Sequence, residues 1–79
     1  MSAHTDEAVR AKVIEIADVL AQESPQEPVH ERALSWFVDL QTKGESVEFY
    51  RAVLDALPDV EPGETGGAYA ERALQGVRR

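Results

Sequence analysis

The stretch ALSWFVDLQTKGESVEFYRAVLDAL, residues 33–57, decides the fold of this chain of 79 residues. It contains two segments whose apolar residues recur at helical spacing, separated by Lys43 and Gly44. A basic residue followed by glycine is a typical helix stop, and Ser46 can cap the helix that follows. Because the connection is short, the sequence predicts that the two helices form an αα-hairpin.

The first helix of this hairpin carries a broad arc of apolar residues. At 100° per residue one side contains Val29, Ala33, Trp36, Phe37 and Leu40. Leu34 lies at the edge of this arc, whereas Val38 falls among polar residues on the other side. Pro28 suits the first helical position, and Ser24 with Glu27 also has capping-box spacing, which allows a start at Pro25. We expect most of the arc to face the core, with Phe37 and Leu40 buried and Trp36 near its edge.

The second helix of the hairpin has a clearer apolar face. This face consists of Phe49, Tyr50, Val53, Leu54 and Leu57. Glu48, Arg51 and Asp55 are expected to face water, and Pro58 is expected to end the helix.

A further helix is predicted on each side of the hairpin. The first should run from about Asp6 to Gln22, with Thr5 as its cap and an apolar stripe of Val9, Val13, Ile16, Ala17 and Leu20. The last should run from about Ala68 to Val77, using Tyr69, Ala70, Ala73, Leu74 and Val77. No segment shows strand periodicity, so the predicted fold is all-α, a small compact bundle of about four helices.

The chain is short enough for a single domain, residues 1–79. Residues 1–5 are expected to be a flexible N-terminus. Residues 58–67, PDVEPGETGG, are expected to be an acidic loop that contributes nothing to the core, because prolines, glycines and acids dominate it.

Composition excludes several classes of function. The net charge of −7 disfavours binding to nucleic acid or to anionic membranes. It would attract a protein partner with a basic surface, but a moderate acidic charge is also an ordinary means of keeping a protein soluble. Cysteine is absent, so disulfides and thiolate metal sites are excluded. The sequence shows neither a secretory signal pattern nor an apolar run long enough to cross a bilayer, so we expect a cytoplasmic protein.

Catalysis and metal binding have little support in the sequence. No carboxylate lies on a predicted apolar face, no serine has a positioned base, and no phosphate-binding glycine loop is present, so we expect no enzyme and no cofactor. The histidines are His4 and His30. If Met1 is removed, the new terminus with His4 at its third position has the donors for Cu(II) or Ni(II); no other metal site is predicted.

The edge of the aromatic band is the candidate interaction surface. Trp36, Tyr50 and Val38 occupy border positions and are the candidate partner-binding anchors, with Glu15 and Asp18 on the acidic face of the first helix. The leading hypothesis is a helical adaptor, inhibitor or regulator that binds another protein. The alternatives are a self-associating homodimer and, third, a DNA-binding regulator.

Overall fold

Four helices build the part of the chain that the computed structural model describes, residues 6–77. They are α1 (Asp6–Glu23), α2 (Glu31–Gln41), α3 (Val47–Ala56) and α4 (Gly66–Val77). The all-α prediction is confirmed, and α2 and α3 are adjacent and in contact, as the hairpin prediction required. Within this range, no helix combines the length and apolarity that a membrane span needs. Thr5, the predicted cap of α1, lies outside the described residues.

The centre of the core lies between α1 and α4, which make the most extensive contact of any two helices. The buried residues of α1 are Val9, Val13, Ile16 and Ala17, all of which belong to the predicted stripe. On α4 the buried side chains are Tyr69, Ala70 and Ala73, again as predicted. The small side chains of α4 let the two helices approach closely, and Tyr69 fills the remaining space.

The α2–α3 turn follows the predicted chemistry. Gly44 has φ +92°, a left-handed conformation that glycine adopts at little cost. The Ser46 hydroxyl accepts a hydrogen bond of 3.1 Å from the Phe49 N–H, which caps α3. Phe49, Val53 and Leu57 are buried, so the predicted core side of α3 is confirmed.

The predicted start of α2 is wrong. Pro28 is not the first helical residue; it lies in an extended segment that pairs with Thr65 as an isolated antiparallel bridge. The Val29 N–H donates to the Glu64 carbonyl at 2.7 Å, and the Gly66 N–H donates to the Glu27 carbonyl at 2.9 Å. These distant partners satisfy the backbone groups that a helical turn would have used, so α2 begins only at Glu31.

The 58–67 loop contributes to the core, contrary to expectation. Val60 packs against the buried cluster, and Gly66 is itself buried. The Tyr69 hydroxyl donates to the Pro58 carbonyl at 2.6 Å, which fixes the end of α3 to α4. Because the Thr65 hydroxyl accepts from the Ala68 N–H, α4 begins at Gly66, two residues earlier than predicted.

An ion pair holds this loop against α4. Arg72 donates from Nη1 to both carboxylate oxygens of Glu64, at 2.7 and 2.8 Å, and to the Asp59 carbonyl at 3.1 Å. The Glu64 side chain is only 6% exposed. Its burial by itself disfavours the charged form, but the hydrogen bonds from Arg72 and from the Glu61 N–H, with the Arg72 charge, outweigh burial and lower the pKa of Glu64.

This lowered pKa predicts a loss of stability in acid. The Glu64 contribution is fully present above the unfolded-state glutamate pKa of about 4.3, and it is lost as the pH falls through the lower pKa of the folded state. The unfolding free energy of Glu64→Gln should therefore decrease less at low pH than that of wild type, which urea titrations at several pH values would measure. The matched control is Glu61→Gln. The Glu61 Oε1 lies 3.8 Å from the Arg72 Nη1, and the Glu61 side chain is 69% exposed, so its charge should contribute little to stability. If the unfolding free energies of wild type and Glu64→Gln decreased equally in acid, Glu64 would not be the group responsible.

Candidate functional site

The structure turns α2 by nearly half a revolution from its predicted orientation. Val38 is fully buried and Leu34 nearly so, whereas Trp36 is 67% and Leu40 43% exposed. The predictions that Leu40 is buried and that Val38 is a surface anchor are both wrong. Val38 lies one turn from buried Thr42, whose hydroxyl donates to the Val38 carbonyl at 2.9 Å. This hydrogen bond satisfies the hydroxyl and lets a polar residue extend the core side of α2.

The opposite side of α2 is an apolar surface, here called the Trp36 face and defined by Ala33, Trp36 and Leu40. All three residues are exposed, and their spacing of three and four residues places them on one side of the helix. A large apolar side chain left in water forgoes roughly 2 kcal/mol of burial free energy. Folding does not recover that free energy at Trp36, but burial by a partner would.

A groove borders the Trp36 face, and we call it the Trp36 groove. It lies between the end of α1, the extended segment before α2 and the first turns of α2, with a volume of about 350 Å³. Its apolar lining is Val19, Leu20, Val29, Ala33, Leu34, Trp36 and Phe37. Its carboxylates are Glu23 and Glu27, and its other polar side chains are Ser24 and His30. The groove is therefore apolar in its lining and negative in its charge.

Tyr50 belongs to a different depression, at the α2–α3 turn. This second groove, of about 270 Å³, is lined by Leu40, Val47 and Tyr50 among others. Leu40 lies one helical turn from Trp36 and so links the two depressions along α2. Trp36 and Tyr50 therefore do not share a groove.

The predicted acidic residues lie on α1 but do not line the Trp36 groove. Glu15 is exposed and accepts a hydrogen bond of 2.7 Å from the Lys12 ammonium, and Asp18 is exposed on the same helix. The carboxylates that do line the groove, Glu23 and Glu27, were missed. The signal was present, since Glu23 follows Leu20 by three residues and therefore lies on the same side of α1.

The groups with shifted pKa values do not line the Trp36 groove. Burial, and then the charge of Glu64, raise the pKa of Tyr69, whose hydroxyl is already committed to the Pro58 carbonyl. Among residues 6–77, no group of three or more His, Asp or Glu side chains could hold a metal ion. His4, the predicted terminal Cu(II) or Ni(II) ligand, lies outside the described residues.

Comparisons with protein-family models, with curated proteins and with solved structures found no match for this chain. No relative therefore supplies a partner or an activity by analogy. The function has to be inferred from the Trp36 face, the groove beside it and their charge.

Proposed function

We propose that this protein is a small helical protein-binding module, an adaptor, inhibitor or regulator, that acts by contact through the Trp36 face and without catalysis. The observation that carries the proposal is the exposure of Trp36, at 67%, on the side of α2 opposite buried Val38. Tryptophan is enriched among the residues that dominate binding energy at protein interfaces. An apolar strip that continues from Trp36 to Leu40 is more than a single scattered surface residue.

Charge supports a partner with a basic surface. The chain carries a net charge of −7, and Glu23 and Glu27 line the Trp36 groove. This negative charge would accelerate association with a positively charged protein and would repel nucleic acid. The third hypothesis, DNA binding, loses further support because exposed Arg51 on α3 is accompanied by exposed Glu48 and Asp55.

A second candidate function is self-association. Leu40 and Val47 are exposed on either side of the α2–α3 turn and share a groove with Tyr50, which gives a second copy an apolar surface to cover. A homodimer of this kind would have twice the chain mass in solution and a stability that depends on concentration. A crosslinking experiment separates the two candidate functions.

The experiment places a photo-crosslinking phenylalanine analogue at Leu40 in the producing cell. We expect an adduct with one other protein, absent when the analogue is placed at exposed Asp18 instead. That protein, purified, should bind the wild-type module and bind Trp36→Ala at least tenfold more weakly, on the scale of about 1.4 kcal/mol or more for an interface anchor.

Two results would count against the proposal. An adduct formed only with a second copy of this chain would favour the homodimer. Equal binding of the purified partner to wild type and to Trp36→Ala would remove the Trp36 face from the interface.

A further inference from the structure

One wall of the Trp36 groove is held in place by hydrogen bonds within the protein. The extended segment that forms one wall is held by the Val29 N–H to Glu64 carbonyl bond and the Gly66 N–H to Glu27 carbonyl bond, at 2.7 and 2.9 Å. Glu64 is in turn held by Arg72. A preformed groove loses little conformational entropy on binding, which favours affinity.

The charge of the groove selects the sign of its occupant. Of the residues that line it, Glu23 and Glu27 are carboxylates, Ser24 and His30 are polar, none is a lysine or arginine, and the rest are apolar. A cation brought beside carboxylates at an apolar surface is less screened than one in open water. An occupant that combines a large apolar side chain with nearby positive charge therefore matches both features of the lining.

Symmetry argues against a second copy as the occupant. In a two-fold dimer the same patch of both chains meets at the interface. With the two-fold axis through the Trp36 groove, Glu23 and Glu27 of one chain would lie close to the same two carboxylates of the other. Like charges brought together at an interface cost binding free energy, so this groove favours a foreign partner.

We propose that the Trp36 groove binds a basic amphipathic helix of the partner. A large apolar side chain of that helix enters the groove beside Trp36 and Phe37, and lysines or arginines one turn away pair with Glu23 and Glu27. Short grooves between helices commonly receive such helices through anchors spaced by three or four residues. This inference rests on the proposed function and adds the chemistry of the partner to it.

The test uses a synthetic helical peptide without tryptophan, with leucines at helical spacing and lysines elsewhere. Trp36 is the only tryptophan of the protein, so its emission reports directly on the groove. We expect a saturable blue shift of Trp36 emission with the lysine peptide. The affinity should be clearly lower for a matched peptide with glutamine at every lysine position.

Matched variants separate a local from a general charge effect. The double variant Glu23→Gln, Glu27→Gln should bind the lysine peptide about fivefold more weakly, which is the effect expected from the loss of two partly exposed ion pairs. Glu15→Gln with Asp18→Asn removes the same number of charges from α1 outside the groove and should change the affinity less than about twofold. Equal effects of the two double variants would overturn the proposal.

Calorimetric titration of Trp36→Ala shows which of the two claims fails. If lysine and glutamine peptides bind equally and both lose affinity in Trp36→Ala, the basic partner is wrong but the Trp36 face remains a binding surface. If no peptide depends on Trp36, the proposed helix in the groove is wrong, and the crosslinking result at Leu40 alone decides the proposed function.

Discussion

Replacing Tyr69 with alanine is expected to remove most or all of the stability of this protein. Tyr69 is the largest fully buried side chain, and truncating a buried aromatic costs about 3–5 kcal/mol. A domain of this size has about as much net stability to lose. Circular dichroism during urea titration should show a chain that is largely unfolded at room temperature without denaturant.

Tyr69→Phe separates the two contributions of this residue. It keeps the ring but removes the hydroxyl that donates to the Pro58 carbonyl at 2.6 Å, which should cost about 1–2 kcal/mol. Tyr50→Ala is a control of the same chemistry at a partly exposed position and should cost less than Tyr69→Ala. A Tyr69→Ala protein with a urea midpoint close to that of wild type would contradict the packing described here.

Gly66→Ala is expected to be the second most damaging change. A methyl group at Gly66 would overlap the Ser24 carbonyl oxygen and lie 3.2 Å from the Leu20 carbonyl oxygen. Both neighbours are backbone atoms at the end of α1, so neither can rotate away. Forcing α1 and α4 apart should cost about 2–3 kcal/mol, measured by the same urea titration.

Gly76→Ala is the matched control within the same helix. A methyl group there meets nothing within 4 Å, so the change should raise stability by about 0.5–1 kcal/mol through helix propensity alone. Opposite signs for the two variants would identify Gly66 as the point of closest approach. A stabilising Gly66→Ala would show that α1 and α4 do not meet there.

The elements that could be predicted from the sequence are those with a single apolar face. In α1 and α3 the buried residues follow the predicted helical spacing, and Ser46 caps α3 as its position suggests. The start of α2 could not be predicted, because the segment around Pro28 is fixed by hydrogen bonds to Glu64 and Gly66, far along the chain. Local capping signals contain no information about such a partner.

The orientation of α2 shows a second limit. Apolar residues cover more than half of this helix, from Trp36 through Phe37 and Leu34 to Val38, so the sequence offers two candidate inner faces. The inner face is the one that α1 and α3 cover. It includes Thr42, a polar residue that is buried because its hydroxyl donates a hydrogen bond to the Val38 carbonyl. The exposure of Leu40 and the burial of Val38 therefore could be seen only in the assembled bundle.

The emission spectrum of Trp36 over a wide dilution series tests most directly whether the Trp36 face is a free surface. We expect red-shifted emission that an added quencher can suppress at every protein concentration, because Trp36 is 67% exposed in a single chain. A red shift that appears only on dilution would make the second copy the partner of this face. Blue-shifted, quencher-resistant emission that is unchanged by dilution would show that Trp36 is buried and that the Trp36 face is not a free surface.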